Sequence, residues 1–244
     1  MPTDQAEAIV LRSLPLGDQD KIVAFLTRDK GVLRGVAKGA RKFGNRFGSA
    51  LEPLSHVTVF FYEKERRELV TVSGCDLQES FFEMQAELRT SLTLTYFAEL
   101  IEEFLPVRAH HEDLAFRLLL SVLKAIKGRG DLSLLARYFE AWFLQINGFL
   151  PEVRRCRACR KILDARGWLA PKKDGAYCDA CAPARKDDVG PELGRFIDWV
   201  RGHAPEAAAA GPFSAEELAS IGKNLQAMIV FHLEREPKSL RYLK

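Results

Sequence analysis

Between residues 7 and 75 the apolar positions alternate over short runs. Ile9 and Leu11 are separated by a smaller neighbour, Lys21 to Thr27 is an apolar β-rich run, Gly31 to Lys38 continues it, and Val57 to Tyr62 and Leu69 to Cys75 complete five segments. A period of two turns one face toward a core and the other toward solvent, so each segment reads as a strand. Turn residues fill the gaps: Gly17-Asp18, Asp29-Lys30-Gly31, Gly44-Asn45 and the charged Glu63-Lys64-Glu65-Arg66-Arg67. Five short strands with no helix among them predict a small barrel of the oligonucleotide-binding (OB-fold) type over residues 1–80.

Past Gln78 the period becomes helical. Leu94, Phe97, Ile101 and Phe104 or Leu105 share one face, Glu99, Glu102 and Glu103 fall mostly elsewhere, and Pro106 ends the segment. Leu114, Leu118, Val122 and Ile126 repeat the pattern before Gly128-Arg129-Gly130. Asp131 can cap a third helix carrying Leu135, Phe139, Trp142, Phe143 and Ile146, with Gly148 placed to stop it. These three helices are expected to pack as a bundle. The pattern resumes at Pro191-Glu192 with Leu193, Phe196, Ile197 and Val200. After an alanine-rich linker, Ala207 to Ala210, Ser214 and Glu217 form a capping box for a helix running through Leu218, Ile221, Leu225 and Met228 to about Leu233. The expected fold is therefore α+β: a five-stranded barrel, then a helical domain over 81–150 and 184–244, interrupted by a cysteine-bearing insertion over 151–183.

That insertion carries the most specific chemistry. Cys156, Cys159, Cys178 and Cys181 form two Cys-x-x-Cys pairs with eighteen residues between them. Each pair aims two sulfurs at one point, and the loop lets the second pair complete a tetrahedron around one structural zinc ion per chain. Four sulfur ligands leave no open position for water, so such a metal holds structure and does not hydrolyse. Iron in place of zinc, a disulfide framework, a redox dithiol and chance spacing are the competing readings. Cys75, after a strand-like run, reads as a small core residue.

Bulk properties narrow the setting. In 244 residues, 47% hydrophobic and 28% charged, no apolar run is long enough to span a membrane. The opening Met1-Pro2-Thr3-Asp4-Gln5 lacks the pattern of a secretory leader, which points to a reducing cytoplasm where thiols stay available for metal. Net charge is only +3, but from Arg28 to Arg46 seven cations face the single acid Asp29. A concentrated basic stretch of this kind suits a polyanion.

In the loop from Lys38 to Gly48, the cations Lys38, Arg41, Lys42 and Arg46 are interleaved with Phe43, Phe47 and three glycines. Cations that neutralise phosphates beside rings that can stack on bases are what a single-stranded nucleic acid requires. Both rings could instead fold onto the barrel. Basic residues also surround the cysteines (Arg154, Arg155, Arg157, Arg160, Lys161, Arg166, Lys172, Lys173); they fit either DNA contact or neutralisation of the two excess charges of a four-thiolate zinc site. His110-His111-Glu112-Asp113 reads as a helix start, and His56 and His232 as core or edge residues. No phosphate-binding loop, nucleophile elbow, zinc-protease helix or dinucleotide glycine pattern occurs, so nothing argues for an enzyme.

In the runs Glu7-Ala8-Ile9-Val10-Leu11-Arg12, Gly17 to Val23, and Gly31-Val32-Leu33-Arg34-Gly35-Val36-Ala37-Lys38-Gly39-Ala40-Arg41, and in the order of its parts, the chain resembles the RecO family of bacterial recombination mediators. Leu51-Glu52-Pro53-Leu54, Gly148-Phe149-Leu150-Pro151 and the closing His232-Leu233 to Leu240 also match, so the resemblance covers essentially the whole chain. It implies an OB-fold barrel, a helical domain and an inserted zinc finger, in a cytoplasmic, nucleoid-associated DNA repair protein. It further implies binding of ssDNA and dsDNA, annealing of complementary strands and, with RecR, help in loading RecA onto DNA coated by single-strand-binding protein, whose C-terminal tail is a partner. DNA contact carries over to Arg34, Lys38, Arg41 and Lys42, while Arg46 and Phe43 rest on charge and stacking. A barrel plus zinc ribbon that binds RNA or serves transcription is the alternative.

Overall fold

A computed structural model of the chain describes residues 3–63, 69–105 and 113–243. Most of the expected charged turn (64–68), Pro106, His110, His111 and Glu112 lie outside the described residues. Two compact units emerge, Met1–Leu123 with Pro237–Lys244, and Lys124–Glu236.

The first unit contains the five expected strands: β1 (Asp4–Leu16), β2 (Asp20–Thr27), β3 (Val32–Ala37), β4 (His56–Tyr62) and β5 (Val70–Glu79). They close into a barrel in the order β1-β2-β3-β5-β4, with β4 pairing back onto β1; the β3–β5 pair is parallel and the rest antiparallel. Alternate residues fill the interior, among them Ala8, Val10, Val23, Phe25, Leu33, Val57, Val59, Phe61, Val70 and Val72. Each large side chain buried this way contributes roughly 1.5–3 kcal/mol.

Closure depends on Gly35. A Cβ there would stand 2.7 Å from Cγ2 of Val70 and 2.8 Å from Cγ2 of Val72, so only glycine lets β3 approach β5 closely enough to pair. Strand β1 bulges between Val10 and Arg12, which reverses its alternation. Val10 faces the core, and two residues later Arg12 does not.

After a 3-10 turn, Phe82–Ala86, helix α1 (Leu88–Phe104) starts at Glu87, whose carboxylate accepts from the backbone N–H groups of Arg89 (3.1 Å) and Thr90 (2.7 Å). Its buried row includes the expected Leu94, Phe97 and Ile101, and it packs against β1 and the late 3-10 turn Ser239–Tyr242. Helix α2 (Asp113–Lys127) follows.

In the second unit, α3 (Leu132–Ile146) is capped by Asp131, whose side chain accepts from the Leu134 N–H at 2.7 Å. It packs with α4 (Pro191–Gly202) and α5 (Ala215–Leu233), burying Leu135, Phe139, Phe196, Ile197, Leu225 and Met228. Both halves of the Ser214–Glu217 capping box are present. The expected bundle of the first three helices is divided between the units: α1 groups with the barrel in the first, and α3 packs with the later helices in the second. Periodicity identifies an apolar face without naming what covers it. Between α3 and α4 the chain adds a sheet too short to read from alternation: β6 (Gly167–Leu169), β7 (Ala176–Cys178) and β8 (Asp188–Val189), in the order β7-β6-β8. No helix among the described residues is long and apolar enough to cross a membrane.

Candidate nucleic-acid interface and metal centre

The basic segment connects β3 to β4. Short turns shape it: the Ala40 N–H donates to the Ala37 carbonyl, Lys42 to Gly39 and Asn45 to Lys42. Gly39 and Gly44 adopt φ of +71° and +66°, which side-chain-bearing residues rarely adopt. The loop is tied to the β1–β2 turn. The Gly39 N–H donates to Oδ1 of Asp20 at 2.8 Å, and the Arg41 N–H donates to the Gln19 carbonyl at 2.9 Å.

Lys38, Arg41, Lys42 and Arg46 are all exposed. None pairs with a carboxylate among the described residues; Arg41 and Arg46 instead donate to the carbonyls of Gly17 (2.6 Å) and Ser73 (2.8 Å). Their charge is thus available to solvent anions. The two rings separate sharply. Phe47 is 3% exposed within the barrel core, with the Arg46 guanidinium 4.5 Å from its ring centre, whereas Phe43 is fully exposed at 109%. Phe43 is thus an unpacked aromatic amid cations with no carboxylate partner among the described residues, whereas Phe47 is part of the barrel core.

Arg34 lies apart from this loop, on β3, with its Nη2 3.6 Å from Oε2 of Glu102. Glu102 also receives Arg12, through Nε at 2.9 Å and Nη2 at 2.6 Å. Sequence reasoning passed over Arg12 as a site residue and read Glu102 as a helix-surface acid. The signal lies in a bulge and a helix placement that no local pattern encodes.

The four insertion cysteines come together. Their Sγ atoms lie within 4.8 Å of one another, with Cys159 and Cys178 at 3.7 Å, and none is in a disulfide. A sulfur tetrahedron with metal–sulfur bonds of about 2.3 Å has edges of about 3.8 Å, so this donor set fits zinc. Backbone geometry makes the cluster: the Arg160 N–H donates to the Cys156 carbonyl (2.9 Å), the Cys181 N–H to the Cys178 carbonyl (3.0 Å), and Cys156 bridges to Ala176, the first residue of β7. Burial opposes charge on the Cys156 sulfur. The N–H groups of Cys159, Cys178 and Ala158 overcome it and bring that thiol down to about 6.

Many of the surrounding cations are already committed. Arg154 pairs with Asp198, Arg157 with Asp174 and Lys173 with Asp187, while the Arg166 guanidinium sits 4.5 Å over the Trp168 ring. Cys75 behaves as expected for a core thiol: burial, with Asp76 adding to it, pushes it up to about 12. His56 meets Oε1 of Glu7 at 2.9 Å, and His232 stacks on Phe149 at 4.2 Å.

Two family models match this chain, described as Recombination protein O N terminal over residues 1–81 and Recombination protein O C terminal over residues 85–241. The chain belongs to the recombination protein O family. It is similar to the DNA repair protein RecO of Koribacter versatilis, at 34% identity over 95% of this chain and 94% of that one. The DNA repair protein RecO of Geobacter metallireducens is 34% identical over 100% and 98%, and that of Desulforudis audaxviator 32% over 98% and 96%. In this recombination protein O family member the junction of the two matched regions falls at the 3-10 turn between β5 and α1, so the N-terminal region corresponds to the barrel.

Proposed function

We propose that this protein is a non-catalytic DNA repair and recombination mediator: it binds ssDNA and dsDNA, anneals complementary strands and, with RecR, helps load RecA onto DNA coated by single-strand-binding protein. The carrying observation is the β3–β4 loop, where Lys38, Arg41, Lys42 and Arg46 have no carboxylate partner among the described residues and Phe43 stands free in solvent. Cations of this kind neutralise phosphates on two strands at once and release their counterions, which lowers the repulsion that keeps complementary strands apart. Annealing then proceeds by base pairing and needs no bond made or broken by the protein.

On this reading Arg34, Lys38, Arg41, Lys42 and Arg46 contact phosphate, and Phe43 stacks on a base. One zinc ion bound by Cys156, Cys159, Cys178 and Cys181 holds the insertion between α3 and α4. Residues 1–80 form the DNA-binding domain, 81–150 with 184–244 the helical domain that receives the C-terminal tail of single-strand-binding protein, and 151–183 the finger; the protein acts in the cytoplasm, on the nucleoid. Titration of fluorescent ssDNA with annealing of a complementary oligonucleotide as readout tests the proposal, with structured RNA as competitor. Tight binding and accelerated annealing are expected. Preference for the RNA with no annealing would favour the RNA-binding alternative.

A further inference from the structure

Arg12, Ala24 and Arg34 form one row across three strands, because Arg12 pairs with Ala24 in the β1–β2 register and Ala24 pairs with Arg34 in the β2–β3 register. The bulge after Val10 makes the row possible by turning Arg12 away from the core. Neighbouring strands stand about 4.8 Å apart, and the middle position carries only a methyl group, so the two arginines can converge above it. Leu14 and Ile22 form the next outward-facing pair along the same strands. Arg12, Leu14, Ile22, Val23, Ala24, Arg34 and Glu102 line a cleft of about 190 Å³.

Glu102 fills the gap between the arginines. Its side chain is 5% exposed and takes the Arg12 fork with both oxygens, as a phosphate would, while Oε2 lies 3.6 Å from Arg34. Glu102 faces both guanidiniums, and Glu99 adds a second negative charge near Arg12. Both arginines remain about half exposed, so their other N–H groups are open to an anion arriving from solvent.

We propose that this cleft receives a phosphodiester of the bound strand and that Glu102 is its internal placeholder, which an incoming strand must displace to engage Arg12 and Arg34. The inference rests on the reading of the barrel as a DNA-binding surface. A strand is favoured over an acidic peptide because the cations continue: β1 runs from Arg12 through Leu14 and Leu16 to the turn where the Gly17 carbonyl accepts from Arg41. A repeating polyanion can reach both sets of cations, whereas a single carboxylate fills one. The placeholder keeps the arginines extended and weakens strand binding by competition. A protein that must release each strand once it has paired gains from that weakness.

Glu102→Gln keeps the shape and removes the charge. Its affinity for a dT oligonucleotide should rise about tenfold at low salt, with the log-affinity against log-salt slope steeper by about 0.7 for each further phosphate neutralised. Adding Arg12→Ala should abolish the gain. Wild-type protein supplies a readout that needs no variant: dT oligonucleotide should protect Arg12 and Arg34 from phenylglyoxal, mapped by mass spectrometry, and inorganic phosphate at the same phosphate concentration should not. Unchanged affinity of a folded Glu102→Gln protein, or both arginines modified in the complex, would overturn the placeholder while leaving DNA binding intact. Equal protection by inorganic phosphate, or a gain confined to an acidic peptide, would also overturn it. Failure of the wild-type protein to bind any oligonucleotide would instead remove the underlying reading.

Discussion

The Arg41 guanidinium donates to the Gly17 carbonyl at 2.6 Å, which fastens the basic β3–β4 loop to the turn between β1 and β2. Arg41 therefore has two tasks, holding the loop and presenting charge, while Lys38 and Lys42 make no such bond among the described residues. Lys38→Ala with Lys42→Ala should weaken ssDNA binding and lower the salt slope by about 1.4, near 0.7 for each phosphate left without its cation. Melting should be unchanged. Adding Arg41→Ala should weaken binding further and loosen the loop, read as faster exchange of its own amide, which donates to Gln19. A salt slope equal to wild type would remove these cations from the interface.

Phe43 and Phe47 sit four residues apart and should respond in opposite ways. Phe43→Ala removes a ring that touches solvent, so stability should hold while ssDNA affinity falls by about 1–3 kcal/mol. Phe43→Trp should restore binding. Phe47→Ala empties part of the barrel core and should cost about 3–5 kcal/mol in urea unfolding. Full ssDNA affinity in Phe43→Ala would assign the ring no part in stacking.

The thiols offer a count. In metal-loaded native protein no cysteine should react with a disulfide reagent; after chelation four should react, while Cys75, buried and pushed up to about 12, stays silent until the barrel unfolds. Structural zinc contributes on the order of 10–16 kcal/mol to a small finger. Amides over 151–183 should therefore lose exchange protection with the metal, and those of the barrel should keep theirs. Four thiols reacting before chelation, or less than one zinc per chain in gently purified protein, would contradict a metal-bound finger.

Gly35→Ala tests barrel closure. Its new methyl group would stand 2.7 Å from Val70 and 2.8 Å from Val72, and β3 would have to draw back from β5. A loss of about 1–3 kcal/mol is expected, partly recovered by Val70→Ala, which clears the space. Wild-type stability in the single variant would mean that the pair adjusts without strain.

Alternation, and for β2 a continuous apolar β-rich run that is buried from Val23 to Thr27, located all five strands. It missed their ends: β1 reaches back to Asp4 and β5 on to Glu79, where pairing with β4 and not apolar content keeps the chain extended. Local spacing likewise announced the cysteine cluster, because both halves of each pair lie within one turn. The Arg12–Ala24–Arg34 row was beyond its reach, depending on a bulge, two strand registers and the placement of α1. The two phenylalanines were indistinguishable in sequence because both follow a cation in a glycine-rich loop, and only the path of the loop sends one ring inward.

Glu99 holds the final segment to α1. Its carboxylate accepts from the backbone N–H groups of Lys238 and Ser239, both at 2.8 Å, and from the Ser239 hydroxyl. Burial would raise the pKa of this carboxyl, but the Ser239 and Lys238 hydrogen bonds outweigh it and hold the group below the ordinary value of 4.5. Protons therefore bind the unfolded chain first as pH falls. The interaction contributes fully above 4.5 and disappears as pH drops through the lower folded value. Glu99→Gln should accordingly be less stable than wild type near neutrality, with the gap narrowing as pH falls through 4.5 toward the lower folded value. Amides of Lys238 and Ser239 should exchange faster in the variant at neutral pH. A gap that stays constant across that range would show that the carboxylate charge has no part in seating the segment.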